Sequence, residues 1–349
     1  MMLTTYEADC QAVLQDSNIP FSDLNHKTVL ITGATGLIGQ MLVQSLCALR
    51  NTVDVTVIAA VRNQEKAEKL FGHLLETGQL LLHVSDILQP LSIEQHIDYI
   101  IHTASQTSSK GFVDTPVETI HTALAGTENL LKFAVEKQVS SFVYLSTMEV
   151  YGAPETSEKI SETHASNLNP MAVRSCYPES KRMCENLCAS YHSEFGVPVS
   201  TVRLTQTFGS GVVYHDGRVF AEFARCAVEK RNIILHTKGE TERNYLYVAD
   251  AVRAILTVML KAPAGEAYNA ANEETYCSIL EMANLVAEKI AGGKISVQIE
   301  MDEDINKFGY APVLHMNLDT SKLKALGWKP AVNLEDAFRR MITYWEETK

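Results

Sequence analysis

Residues 28–49 restrict the folds open to this chain. Thr28-Val29-Leu30-Ile31-Thr32 is a continuous apolar run of strand type, and a helix-period segment follows it to Leu49. Between the two lies Gly33-Ala34-Thr35-Gly36-Leu37-Ile38-Gly39. In the order strand, glycine turn, helix, each glycine has a physical task. Gly33 allows the tight turn, Gly36 lets the backbone approach a pyrophosphate, and Gly39 lets helix and strand pack closely. The helix N-terminus then faces the phosphate charge, with Thr35, Leu37 and Ile38 in the same loop.

Strand and helix continue to alternate downstream. Further strands are expected over 55–60, 80–84, 98–102, 141–145 and 199–204. Helices are expected over about 64–71, 115–136 and 177–195. This rhythm predicts an α/β fold, a Rossmann-type doubly wound parallel sheet with ligands at the carboxyl ends of its strands. Residues 5–25 read as a short amphipathic helix and a linker, Asn18-Ile19-Pro20, packed on the outside of the domain. After Gly209 the rhythm breaks into short strands, as at 233–235 and 267–269, with helices over 278–289 and 334–346. The reading is an N-terminal helical extension (1–26), a dinucleotide-binding domain (27–205) and a smaller α/β lobe (206–349). The lobe mainly binds substrate, with some chain returning to the first domain. A substrate would sit in the cleft between lobes.

Composition narrows the partners. The formal net charge is -12, and no basic run stands out, so no nucleic acid is expected. No stretch nears the ~20 apolar residues of a membrane span, and the N-terminus lacks the pattern of a signal peptide. The 7 cysteines are scattered, without a C-x-x-C or a His/Cys cluster of zinc spacing. They read as reduced thiols of a cytoplasmic protein with no metal site. Cys176 lacks a suitably spaced His partner and reads as core or pocket lining.

Tyr177-Pro178-Glu179-Ser180-Lys181 supplies candidate chemistry. A Tyr and a Lys four residues apart share a helix face. A phenol is a poor base at neutral pH, and a fixed ammonium nearby is expected to lower its pKa. Such a Tyr can take the proton from a sugar hydroxyl while hydride leaves the same carbon for a nicotinamide ring.

These motifs resemble the extended short-chain dehydrogenase/reductase family, the NAD-dependent nucleotide-sugar epimerases, dehydratases and decarboxylases. The resemblance runs from Lys27 to the C-terminus. It rests on the glycine loop, Asp86-Ile87, His102-Thr103-Ala104-Ser105, Ser146-Thr147-Met148-Glu149-Val150-Tyr151-Gly152, the Tyr177/Lys181 pair, and Leu318-Asp319 through Leu326-Gly327-Trp328. The chain looks most like the UDP-glucuronate decarboxylase (UDP-xylose synthase) branch, through 169–177, Asp216-Gly217-Arg218-Val219 and Glu242-Arg243. The resemblance implies a retained dinucleotide and a redox-neutral cycle through a 4-keto sugar. Tyr177, Lys181, Thr147 and Glu149 would be catalytic, with Glu149 the acid/base or water-positioning group of the second step. Asp86, Ile87, Thr103, Ala104 and Ser105 would line the cofactor. Arg243 and Arg218 would meet substrate anions, and Arg174, Ser175 and Gln206 would line the pocket. A nucleotide-diphosphate sugar would be the substrate and a homodimer the assembly, formed by helices 115–136 and 177–195.

Several positions depart from the family pattern. Dehydratases carry Asp-Glu after the Thr and decarboxylases Ser-Glu, whereas this chain has Met148-Glu149. Met cannot protonate a leaving hydroxyl, which disfavours 4,6-dehydration. Gln206 replaces an Asn, Ser210-Gly211 stands where Pro-Arg is usual, Ala123 replaces an Asn on the long helix, and Phe112 replaces a substrate-contacting Tyr. The second strand ends Ala60-Val61-Arg62-Asn63, without the acid that usually accepts from the ribose of NAD. Arg62 leans toward the 2′-phosphate of NADP, while the resemblance argues NAD. The readings carried forward are a decarboxylase-like enzyme or a 4-epimerase. The alternatives are a 4,6-dehydratase or keto-sugar reductase, and a non-catalytic dinucleotide-binding regulator.

Overall fold

The computed structural model describes residues 3–107, 109–156, 158–165, 167–301 and 313–349. In chain order the first half comprises α1 (Thr5–Leu14), β1 (Lys27–Thr32), α2 (Leu37–Leu49), β2 (Val55–Val61), α3 (Gln64–Glu76), β3 (Leu81–Val84), β4 (Tyr99–His102), α4 (Ser109–Asp114), α5 (Pro116–Lys137), β5 (Ser141–Thr147), α6 (Cys176–Phe195) and β6 (Val199–Leu204). The second half comprises β7 (Gln206–Phe208), α7 (Val219–Glu229), β8 (Ile233–Leu235), β9 (Glu242–Tyr247), α8 (Val248–Lys261), β10 (Ala267–Ala270), β11 (Asn272–Ser278), α9 (Ile279–Leu285), β12 (Val297–Ile299), β13 (His315–Met316), α10 (Ser321–Ala325) and α11 (Leu334–Glu347).

A seven-stranded sheet runs in the order β10-β6-β5-β4-β1-β2-β3, and every pairing in it is parallel. Successive residues of one strand enter opposite cores. Val29 and Ile31 pack on one side with Val57 and Ile101, while Leu30 packs on the other with Ile58, Ile100 and Phe142. Covered on both faces, these strands must be apolar at every position, which is why they read as continuous runs. Helix α3 runs on to Glu76, past the expected end at 71.

Two segments differ from expectation. The strand near 267–269 is not part of the small lobe: β10 extends the large sheet beside β6, with Ala267 opposite Thr201. The chain returns there through α8, in which residues 248–252 and 254–259 are all buried. A helix apolar nearly all round has no solvent face to offer and must lie inside. The lobe itself carries a smaller sheet, β11-β9-β13 with β7 beside β9, and the β8–β12 pair. The second difference is α1, which is built into the core rather than laid on the outside. A capping box of Thr4 and Glu7 starts it, and Asp9, Cys10 and Val13 are buried against a layer that includes α2, α8 and α11. Among the described residues no helix is long and apolar enough to cross a membrane.

Candidate active site

The glycine loop forms a cradle. Gly33 has φ +65°, and a Cβ there would lie 2.6 Å from Thr103 Oγ1 and 2.7 Å from the Ala104 backbone. Thr103 Oγ1 in turn donates to the Thr32 carbonyl at 2.7 Å. A Cβ on Gly39 would come within 2.3 Å of the Gly33 carbonyl oxygen. Gly36 is the exposed N-cap of α2, and no side chain caps the first turn. The free amides of that turn, flanked by half-buried Thr35, Leu37 and Ile38, suit a diphosphate.

Neighbouring loops are held by polar pins. Asp86 accepts from the Leu88 amide at 3.0 Å, and the Ile87 carbonyl accepts from Asn129 Nδ2 at 2.9 Å. His102 lies between the hydroxyls of Thr32 (2.8 Å) and Thr127 (3.2 Å), and burial, then the Lys181 charge, pull its pKa down to about 3. It is a neutral spacer tying the ends of β1 and β4 to α5. Ser105 donates to the Gln106 carbonyl at 3.2 Å. Arg62 is exposed beyond β2. The next residue, Asn63, is the N-cap of α3 and accepts from the Lys66 amide. Asn129 and Thr127 escaped the sequence reading, where a polar residue inside an amphipathic helix looks like solvent face.

Tyr177 lies in the first turn of α6, with Lys181 one turn on. Lys181 Nζ donates to the Leu145 carbonyl at 2.7 Å and stands 4.7 Å from the centre of the Tyr144 ring. Burial pulls the Lys181 pKa down to about 8. The expected lowering of Tyr177 is not what the structure gives. Burial first, then the Glu149 carboxylate, push that phenol up from its ordinary value, against a hydrogen bond with Thr147 and the Arg174 charge. The ammonium that should have lowered it is turned to Leu145 and Tyr144, and is weakened by its own burial.

Around the Tyr177 ring three further segments converge. Phe112 of α4 stacks on it at 4.3 Å and 13°, and its carbonyl accepts from Cys176 Sγ at 3.2 Å. The Arg174 guanidinium lies 4.7 Å over the Phe112 ring, and its Nη2 reaches Glu149 at 3.0 Å. Thr147 Oγ1 accepts from the Glu149 amide at 3.2 Å, capping the short 3₁₀ turn of Met148–Tyr151. Met148 is buried in a separate cluster with Val150, Tyr151, Ile160 and Leu318, and its sulfur accepts from Thr205 Oγ1 at 3.2 Å. A polar side chain at 148 would lose that packing, a constraint invisible in the motif.

The remaining substrate candidates are dispersed. The Ser175 hydroxyl is committed to the Asn169 carbonyl at 2.7 Å. Gln206 opens β7 opposite Tyr245 of β9. Arg218 is closed on Asp216 through Nε (2.9 Å) and Nη2 (2.7 Å). Arg243, on β9, has a buried Nε with no hydrogen-bond partner, and so has the Tyr245 hydroxyl two residues on, on the same strand face. An orphaned guanidinium nitrogen is costly in a buried setting unless an anion meets it.

Known proteins match this chain along most of its length. The model of the NAD dependent epimerase/dehydratase family matches residues 29–271. The chain is similar to UDP-glucuronic acid decarboxylase 1 of Xenopus tropicalis, 32% identical over 93% of this chain and 74% of that protein. It is also similar to UDP-glucuronic acid decarboxylase 3 of Arabidopsis thaliana, 33% identical over 90% and 87%. Two solved structures share its fold. One is an epimerase of Methanothermobacter thermautotrophicus, with TM-score 0.79 and 22% identity over 94% of each chain. The other is UDP-glucuronic acid 4-epimerase of Bacillus cereus in complex with UDP-glucuronic acid and NAD, with TM-score 0.76 and 22% identity over 92% of this chain and 100% of that one. The chain is an enzyme and belongs to the NAD dependent epimerase/dehydratase family.

Proposed function

We propose that the protein acts on a nucleotide-diphosphate sugar through a 4-keto intermediate and ends redox-neutral, with decarboxylation the favoured outcome. When bound, the nicotinamide supplies a hydride acceptor and donor at C4 of the sugar. Tyr177 takes the C4 hydroxyl proton, with Thr147 sharing it and Lys181 beside the pair on α6. A ketone at C4 makes a carboxylate on C5 a β-keto acid, which loses CO2 readily, and Glu149 serves that second step. The observation that carries this reading is the clustering of Thr147, Glu149 and Arg174 about the Tyr177 side chain.

Met148 favours this over 4,6-dehydration, since its side chain is buried in an apolar cluster and leaves Glu149 the only carboxylic acid of that motif. The family description and the relative bound to NAD support NAD, whereas the exposed Arg62 leaves room for a 2′-phosphate. The exposed apolar residues Val117 and Ile120 of α5 and Met183 of α6 support a homodimer through these helices. The seven free thiols support a reducing, cytoplasmic setting.

Mass spectrometry of the protein incubated with UDP-glucuronate, with the released cofactor identified in the same run, tests the reading. Loss of one CO2 from the sugar nucleotide is expected. An isomer of unchanged mass would make the enzyme a 4-epimerase, and loss of one water a dehydratase. No product from any nucleotide sugar would turn the reading toward a dinucleotide-binding regulator. Tyr177→Phe should cut turnover by roughly 10²–10⁴-fold while dinucleotide stays bound; retained turnover would remove Tyr177 from the chemistry.

A further inference from the structure

Arg62 and Arg243 are the arginines that make no hydrogen bond or ion pair among the described residues. Every other arginine of the chain donates to a carboxylate or a carbonyl. Arg243 lies on β9 of the small lobe and is the candidate for the substrate diphosphate. Arg62 lies one residue past β2, at the carboxyl end of the large sheet. It is exposed, and neither Glu65, the first acid after it, nor any other carboxylate pairs with it among the described residues.

A second unpartnered group stands beside it. Strands β2 and β3 pair in parallel up to Val61 with Val84, and the Ser85 amide donates to the Val61 carbonyl at 3.0 Å. The ladder therefore brings Ser85 alongside Arg62. The Ser85 hydroxyl is buried and has no hydrogen-bond partner, a costly state unless something polar meets it. On the other side of β2, Thr32 of β1 stands opposite Ala60, so the glycine loop that begins at Gly33 borders the same corner. In a doubly wound sheet this corner receives the adenosine ribose of a dinucleotide whose diphosphate lies on the glycine loop.

The groups present discriminate between the two forms of that ribose. A free 2′-hydroxyl is best met by a carboxylate, and Ala60-Val61-Arg62-Asn63 supplies none. The Asn63 side-chain oxygen is taken by the Lys66 amide at 2.9 Å, and Asp86 Oδ1 by the Leu88 amide at 3.0 Å. A 2′-phosphate instead brings about two negative charges and three acceptor oxygens. The unpaired Arg62 fork and the Ser85 hydroxyl are donors that match it. On a chain of net charge -12 the general field does not draw a dianion in, so a local cation has to hold it.

We propose that this corner is a 2′-phosphate subsite, in which Arg62 holds the phosphate and Ser85 donates to the phosphate or its ribose, so that the chain takes NADP in preference to NAD. The inference rests on the nucleotide-sugar reading above for the need of a dinucleotide, and names which one.

Competition between the two dinucleotides tests this without turnover. The dinucleotide that the protein carries as purified is first counted by mass spectrometry after denaturation, wild type against Arg62→Gln. Protein freed of it on charcoal is then equilibrated with an equimolar mixture of NADP and NAD, separated from free nucleotide and counted in the same way. Bound NADP should exceed NAD by about tenfold or more. Arg62→Gln, at an exposed position that leaves folding intact, should bring the ratio to about one or below. Ser85→Ala should lower it about threefold. Added salt should shrink the wild-type ratio, because an exposed charge pair is screened. A wild-type ratio near or below one, or a ratio that Arg62→Gln leaves unchanged in both counts, overturns the inference. NAD bound in preference leaves the nucleotide-sugar reading standing and removes this one; neither dinucleotide bound removes both.

Discussion

Asp9 and Lys181 are both buried charges, 1% and 4% exposed, and the molecule treats them in opposite ways. Asp9, on α1, accepts from the Ser210 hydroxyl and the Tyr247 hydroxyl at 2.5 Å each, and from Arg340 Nη1 at 2.9 Å. Its charge is matched and its lone pairs are filled. Asp250 repeats the pattern, with the amides of Ala331 and Val332 at 3.0 Å and the Arg253 guanidinium. Lys181 has one hydrogen-bond partner, a neutral carbonyl, and forms no ion pair among the described residues. A buried ammonium so poorly compensated costs stability. The contrast separates charges that tie elements together from charges kept available for a substrate and its cofactor.

The largest effect expected from breaking the matched set is that of Asp9→Ala. Ser210, Tyr247 and Arg340 would all lose their acceptor; Arg340 is 43% exposed and can turn to water, but the Ser210 and Tyr247 hydroxyls are buried, and stranding the two costs about 2–5 kcal/mol in all. Chemical denaturation should show the midpoint falling without a change in slope. A loss below about 1 kcal/mol would mean that the cluster is no better compensated than Lys181, and the contrast would collapse.

Lys181→Met should move stability the other way. The fall in pKa from 10.5 to about 8 corresponds to roughly 3 kcal/mol of penalty on the charged form. Losing the bond to Leu145 returns about 1 kcal/mol of that. The folded pKa lies below the unfolded one, so the wild-type protein gains stability as pH rises from about 8 to above 10.5. The Met variant should therefore be more stable than wild type by about 1–2 kcal/mol at pH 7 and lose that advantage by about pH 10, with turnover gone throughout. A variant destabilised at pH 7 would show that Lys181 is compensated after all.

The same contrast marks what the sequence discloses. Strands β1, β2, β4 and β5 were legible because burial on both faces forces an unbroken apolar run, and the glycine loop because its steric demands are local. The pairing of Tyr177 with Lys181 was legible because helix spacing dictates it. The direction of the Tyr177 pKa was not, since it is set by how deeply the fold buries the ring and by Glu149, 28 positions away in sequence and brought near by β5. Asp9 was equally opaque. An acid on an amphipathic helix reads as solvent face, and its partners lie 201, 238 and 331 residues away. Nor does Ala267-Tyr268-Asn269-Ala270 advertise that it extends the large sheet, because the edge order of a sheet is a property of the whole chain.

Glu273 lies between the two extremes and offers the smallest and most discriminating test. It is matched like Asp9, accepting from Lys159 at 2.5 Å, Lys324 at 2.8 Å, the Thr320 amide at 3.0 Å and the Thr320 hydroxyl, yet its carboxylate is 16% exposed where that of Asp9 is 1% exposed. Burial raises its pKa, and these hydrogen bonds outweigh that and hold it at about 2. A carboxyl depressed in the folded state stabilises the fold above its unfolded value of 4.5, and the contribution is lost as pH falls through about 2. Solvent screening reduces the stabilisation to about 1 kcal/mol. Glu273→Gln should therefore cost about 1 kcal/mol at pH 7, and the gap from wild type should close between pH 4.5 and about 2. Both proteins will also lose stability below the ordinary His range because His102 is held neutral down to about 3. That loss is common to the two and cancels in the difference. A gap that persists unchanged to pH 2 would assign the effect to lost packing rather than to charge, and would leave buried matching of the Asp9 kind as the only charge compensation that contributes to this fold.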